Sequence, residues 1–206
     1  MCARFTLDVK MQQLKDAFTL SNTVEITPTW NRAPGASSPI VIRDRIGFAK
    51  WGFQPAWAKE GRKAPHNARI ETAATKPYFR DAWAKRHCLV PATGFYEWHN
   101  TATGKQPIYF NYQGQVFAFA GLWEQNDTHN ATFTILTQAA SGPVAAVHHR
   151  MPVILPPETY DDWLTGQLKD RNVATSYMQN IAARPVSRAV NNARNDSAAL
   201  LAENSK

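Results

Sequence analysis

Cysteine is scarce in this 206-residue chain, which has only Cys2 and Cys88. Two cysteines without an export signal argue against a disulfide framework and for a reducing compartment, so a cytoplasmic location is expected. The N-terminus lacks the charged-then-apolar layout of a signal peptide, and no apolar run approaches the length of a membrane span. Paired metal-ligand spacing is missing as well, and neither a metal nor a cofactor is expected. A Walker loop, a dinucleotide glycine fingerprint and a nucleophile elbow are all absent. Their absence speaks against nucleotide-dependent enzymes and ordinary serine hydrolases. Repeats, low-complexity segments and linkers are lacking too, which leaves one domain over residues 1–201, with 202–206 expected to fray.

What is present begins with charge. Lysine and arginine total 23 against 16 acids, a formal net charge of +7. Such a balance favours a polyanionic partner and no membrane. The basic residues are spread along the chain, so a folded surface has to gather them. Seven tryptophans supply stacking material, although most aromatics in such a domain belong to its core.

Residues 8–20 predict a helix with Met11, Leu14 and Phe18 on one face, capped by Thr6 or Asp8. Residues 27–35, bounded by Pro28 and Pro34, read as a loop. Two strands, 39–43 and 46–53, flank a charged turn, and 58–67 reads as a basic surface loop. A helix is expected over 77–86, opened by Pro77. Strands then crowd the middle at 88–91, 94–98, 107–110, 116–123 and 132–137. A short strand at 153–155 precedes a helix carrying Tyr160, Trp163 and Leu164. The expected class is α+β, a curled, mostly antiparallel, barrel-like β core flanked by helices.

Cys2 is the residue around which chemistry gathers. If Met1 is removed, Cys2 carries a thiol and a free α-amine on adjacent carbons. Their ordinary pKa values are about 8.5 and about 8, so both nucleophiles are partly available near neutrality. Such an aminothiol condenses with an aldehyde to a five-membered thiazolidine. The alternative is that Cys2 is simply a small buried residue. Glu97 sits among aromatics, with Phe95 on its own face and Tyr96 and Trp98 on the other; it is either a proton-transfer group or a solvent-facing glutamate. His148 titrates in a useful range, and adjacent His148 and His149 are expected to point opposite ways. Asn67 and Arg69, two apart, share a side if extended; asparagine orients a hydroxyl or carbonyl, and arginine clamps phosphate.

Seven segments occur in a telling order: Cys2-Ala3-Arg4-Phe5, Trp30 to Gly35, Trp51 to Trp57, Asn67 to Thr72, Gly94 to Trp98, His148 to Pro152 and Pro185 to Val190. Together they resemble the SOS-response-associated peptidase (SRAP) family, the abasic-site processing proteins. The resemblance implies a monomeric partner of single-stranded DNA containing abasic sites, including single-strand/double-strand junctions. It implies that Cys2 forms the thiazolidine crosslink, with lyase-like chemistry. Asn67 orients the chain end and sugar, Glu97 moves protons, and His148 promotes sugar ring opening and crosslink reversal. Arg4 and Arg69 match phosphate contacts, while Asn31 and Pro34 border the lesion. Trp57 and the Tyr78-Phe79 pair form the wedge, and Trp98, Thr137, Arg150 and Arg188 complete the expected DNA contacts. Ala3 stands where glycine is usual, and Ala58 where some members have a second tryptophan.

Two other readings stay open. One is a cysteine-type peptidase or autopeptidase acting on Met1, with Cys2 as nucleophile and His148 as base. The other is a non-covalent single-stranded-DNA-binding module in which Cys2 is inert.

Overall fold

The computed structural model describes residues 2–58, 64–125, 130–168 and 181–202. The first half runs β1 (Phe5–Leu7), α1 (Met11–Ala17), β2 (Thr29–Arg32), β3 (Ser37–Ile42), β4 (Arg45–Trp51), β5 (Asn67–Arg69), α2 (Ile70–Ala73) and α3 (Arg80–Lys85). The second half contributes β6 (His87–Ala92), β7 (Gly94–Thr101), β8 (Gly104–Asn111), β9 (Phe117–Gln125), β10 (Ala131–Ala139), α4 (Gly142–Ala145), β11 (Arg150–Pro152), β12 (Ile154–Leu155), α5 (Tyr160–Leu164) and β13 (Ala182–Pro185).

Five strands close on themselves in the order β3, β4, β10, β9, β6. Four of these contacts are antiparallel; β4 meets β10 in parallel, through Thr132↔Lys50 and Phe133↔Trp51. Alternation along each strand explains the closure. Ile40, Ala49, Trp51, Val90, Phe119, Phe133 and Ile135 share one apolar cluster inside the ring. Their neighbours Val41, Ile46, Leu89, Ala120, Leu122 and Leu136 belong to a second cluster with Leu14, Ala82, Tyr160 and Trp163, where the helices cover the outside. The expected α+β architecture with a barrel-like core is present.

A second, antiparallel sheet runs β13, β8, β7, β1, β2. Phe5 of β1 packs edge-on against Trp51 and Phe119, so this sheet covers the barrel and carries the chain start to its interior. Gly94 opens β7 where the Tyr109 ring passes over the backbone; a Cβ there would lie 2.3 Å from that ring. The Tyr109 hydroxyl is 3.0 Å from Thr6 Oγ1.

Three local expectations change. Helix α1 is shorter than residues 8–20, and its N-cap is Lys10, with the Gln13 side chain accepting from the Lys10 N–H at 3.0 Å. Thr6 lies in β1 instead, and Asp8 accepts from the Thr93 hydroxyl. The proline-bounded loop contains β2, because Thr29–Arg32 finds β1 as a pairing partner. The expected helix over 77–86 is Arg80–Lys85, and the helical turn Ile70–Ala73 precedes it. Residues 59–63 of the basic loop and 203–206 of the expected frayed end lie outside the described residues.

Candidate functional site

Cys2 is buried, directly ahead of β1, within the cluster that fills the barrel. Its thiol faces the Arg4 carbonyl at 3.8 Å. Burial drives the thiol pKa strongly upward, Glu97 adds to the shift, and the positively charged chain terminus opposes it. The thiol is therefore held protonated at neutral pH in this state.

Asn67 begins β5, which lies parallel to β10 through Ile135↔Asn67. The preceding His66 carbonyl accepts from Ile135 N–H at 3.1 Å and from the Trp51 indole N–H at 2.8 Å. So braced, Asn67 donates from Nδ2 to the Cys2 carbonyl at 2.7 Å. Its Oδ1 is buried and has no hydrogen-bond partner among the described residues.

Glu97 is placed by β7. The pairs Phe5↔Phe95 and Thr6↔Gly94, with Tyr96 N–H donating to the Arg4 carbonyl at 3.0 Å, run β7 antiparallel to the chain start. Phe95 joins the barrel cluster, whereas Tyr96 and Trp98 pack on the opposite face against Val186 and Val190. Glu97 is 2% exposed, which excludes the solvent-facing alternative. Burial pushes its carboxyl up to about 7, against the pull of the charged chain terminus. A carboxyl at that value both gives and takes protons near neutrality.

His148 follows α4, its backbone N–H donating to the Val144 carbonyl at 2.9 Å. Nδ1 accepts from the Arg150 N–H at 2.9 Å. Burial, the chain terminus and His149 together hold the ring below the usual histidine range. The His148 and His149 rings do not diverge as expected; in this turn they stack, 4.4 Å apart. No group of three or more potential ligands capable of holding a metal occurs among the described residues. The charge of Glu97 acts on the Cys2 thiol, so one locality collects thiol and carboxyl.

The expected DNA contacts divide. Trp57 is 57% exposed and packs edge-on against Tyr78, whose hydroxyl donates to the Phe53 carbonyl. Phe79 is not part of an exposed wedge, because it turns inward against Phe53 just before α3. Thr137 is fully buried, with its hydroxyl 3.3 Å from the Ala68 carbonyl, and is no surface contact here. Pro34, Arg69 and Arg188 are exposed, Arg188 also reaching Thr103 Oγ1 at 3.0 Å.

Arg4 and Asn31 serve the scaffold. Arg4 Nη1 donates to Asn31 Oδ1 and to the Val190 carbonyl, both at 2.8 Å, and Nη2 reaches the Asn191 carbonyl at 3.4 Å. Buried Asn31 directs Nδ2 at the carbonyls of Val190, Asn192 and Asn195. Trp98 joins the same fastening through a 2.7 Å bond to Asn191 Oδ1. Arg150 is nearly buried, its guanidinium engaged by Glu71. Sequence reasoning missed Glu71, although it lies in the Asn67 to Thr72 segment; a glutamate two residues past an arginine gives no sign of a distant cation. It also missed Asp196, which accepts from the Thr29 hydroxyl at 2.8 Å and ties the C-terminal segment to β2.

Fold and site together define a β-barrel protein in which Cys2, buried ahead of the first strand, lies beside the Asn67 amide and the Glu97 carboxyl of raised pKa. The chain belongs to the SOS response associated peptidase (SRAP) family, whose model matches residues 1–193. Abasic site processing protein YoaM of Bacillus subtilis is 34% identical, with 99% of each chain covered. Abasic site processing protein YedK of Escherichia coli is 32% identical over 84% of this chain and 83% of its own. An X-ray structure of a Bordetella bronchiseptica protein superposes with a TM-score of 0.77 at 27% identity, covering 90% of this chain and all of that one.

Proposed function

We propose that the chain recognises abasic sites in single-stranded DNA, including single-strand/double-strand junctions, and traps them covalently through Cys2 once Met1 is removed. The liberated Cys2 amine attacks the aldehyde of the ring-opened deoxyribose, forming an imine with loss of water. The Cys2 sulfur then adds to the imine carbon, the thiol proton passes to the imine nitrogen, and the thiazolidine closes. Glu97, with its carboxyl near 7, carries protons in both steps. Asn67 holds the Cys2 backbone, and its unengaged Oδ1 is an acceptor for the amine or a sugar hydroxyl. His148 assists ring opening and release. The relatives' printed names support the substrate class.

The observation that carries this reading is the 2.7 Å bond from Asn67 to the Cys2 carbonyl, with Glu97 near enough for its charge to act on the Cys2 thiol. Arg69 and Arg188 supply exposed cations for phosphate, and Trp57 supplies a stacking surface. Base stacking contributes about 1–3 kcal/mol per base without demanding a sequence. The test is incubation with a single-stranded abasic oligonucleotide followed by a denaturing gel. Wild type should give a shifted band that Cys2→Ser abolishes while non-covalent binding survives. A band of normal yield from Cys2→Ser would overturn the aminothiol chemistry.

A further inference from the structure

Arg150 was expected to contact DNA, yet its guanidinium faces inward. Nη1 donates to Glu71 Oε1 at 2.6 Å and Nη2 to Oε2 at 2.9 Å, a two-pronged, charge-assisted pair. Nη2 also donates to the Thr137 carbonyl at 2.6 Å. The pair is lopsided in exposure: the Arg150 side chain is 10% exposed and that of Glu71 48%. Glu71 lies in α2, directly after the strand headed by Asn67, while Arg150 opens β11, two residues past His148. Both strands pair with β10 at Thr137, which faces Arg69 on one side and Pro152 on the other.

The backbone of Arg150 governs the imidazole. Its N–H is only a donor, so the 2.9 Å contact is a hydrogen bond when His148 Nδ1 is the bare nitrogen of the neutral ring and the proton sits on Nε2. When the ring takes a second proton, Nδ1–H finds the Arg150 carbonyl 3.0 Å away. One residue thus supplies a partner to Nδ1 in both protonation states, so the ring can cycle without losing its anchor.

We propose that Glu71 is a positioning residue: by gripping Arg150 it fixes, through the Arg150 N–H, the orientation and tautomer of His148. The kinetic consequence rests on the reading that His148 takes part in abasic-site chemistry; the tautomer consequence stands apart from it. A lysine at 150 keeps the charge but not the fork, so it is a poor substitute.

The test uses the full chain and the variants Glu71→Gln, Glu71→Asp and Arg150→Lys. Nitrogen NMR of labelled histidine should show neutral His148 in wild type as a single Nε2–H tautomer, and as a mixture in Glu71→Gln. At saturating abasic oligonucleotide, Glu71→Gln should slow crosslinking by about tenfold to a hundredfold. Glu71→Asp should restore much of the rate, and affinity for an undamaged oligonucleotide should stay within about twofold of wild type. Should Glu71→Gln not fold, Arg150→Lys gives the same two readings. An unchanged tautomer overturns the proposal, as does tighter DNA binding with an unchanged saturated rate, which would make Glu71 a mere competitor of phosphate for Arg150. If wild type forms no adduct at all, the crosslinking reading fails, and the tautomer measurement decides this one alone.

Discussion

The side-chain amide of Asn67 donates to the backbone carbonyl of Cys2 at 2.7 Å, joining residues 65 positions apart. The contact fixes the one backbone unit that adjoins the proposed nucleophiles. Removing it should both loosen the chain start and strand a polar group. Asn67→Ala is expected to cost about 1–3 kcal/mol of stability, the usual penalty for an unsatisfied buried carbonyl. It should also slow crosslinking more than that loss explains. Urea unfolding and a gel time course with abasic oligonucleotide check the two effects separately.

Glu97 makes stability depend on pH. Its folded pKa, about 7, exceeds the unfolded value of 4.5, so the folded state binds the extra proton between them. Its contribution to stability is complete below pH 4.5 and is lost as pH rises through about 7; the loss is on the order of 3 kcal/mol. Glu97→Gln should therefore be more stable than wild type at pH 8 and show a flatter profile between pH 5 and 8. The same variant should crosslink more slowly, since it cannot exchange a proton. Denaturant unfolding at the two pH values, with rates measured alongside, tests both signs.

Trp57 and Phe79 should separate binding from folding. Trp57→Ala removes an exposed ring and should weaken single-stranded-DNA affinity by about 1–3 kcal/mol with little change in unfolding. Phe79→Ala empties a buried site and should cost about 3–5 kcal/mol of stability. Fluorescence anisotropy with an undamaged oligonucleotide and thermal unfolding form the pair of measurements. Affinity should also fall with salt, at a log–log slope of about −0.7 per phosphate contact. Replacing exposed Arg69 by glutamine should make that slope shallower by about one contact.

Asn31 should behave as a fastener. Its amide points at three carbonyls of the segment 190–195, and its Oδ1 accepts from Arg4. Asn31→Ala should release that segment, with faster proteolytic cleavage after residue 188 and a stability loss of about 1–3 kcal/mol. Limited proteolysis followed by mass spectrometry locates the cut; an unchanged pattern would show that Arg4, Trp98 and Asp196 hold the segment without Asn31.

Period-two alternation made β3, β4, β6, β7, β8, β9 and β10 legible, because each side of a strand meets one environment and its residue types record which. The motifs likewise marked Cys2, Asn67, Glu97 and His148 as chemistry, since a carboxylate among aromatics or a cysteine beside the initiator methionine is unusual locally. Tertiary structure alone decided whether Glu97 faced solvent or the interior, which depended on β1 lying beside β7. It also turned Phe79 inward, made a strand of Thr29–Arg32, and gave Arg4, Asn31 and Arg150 partners inside the protein. Those outcomes rest on contacts between residues tens to nearly two hundred positions apart. A side chain's hydrogen-bond partner is set by which backbone the closed barrel brings within 3 Å, and no pattern of neighbours along the chain encodes that.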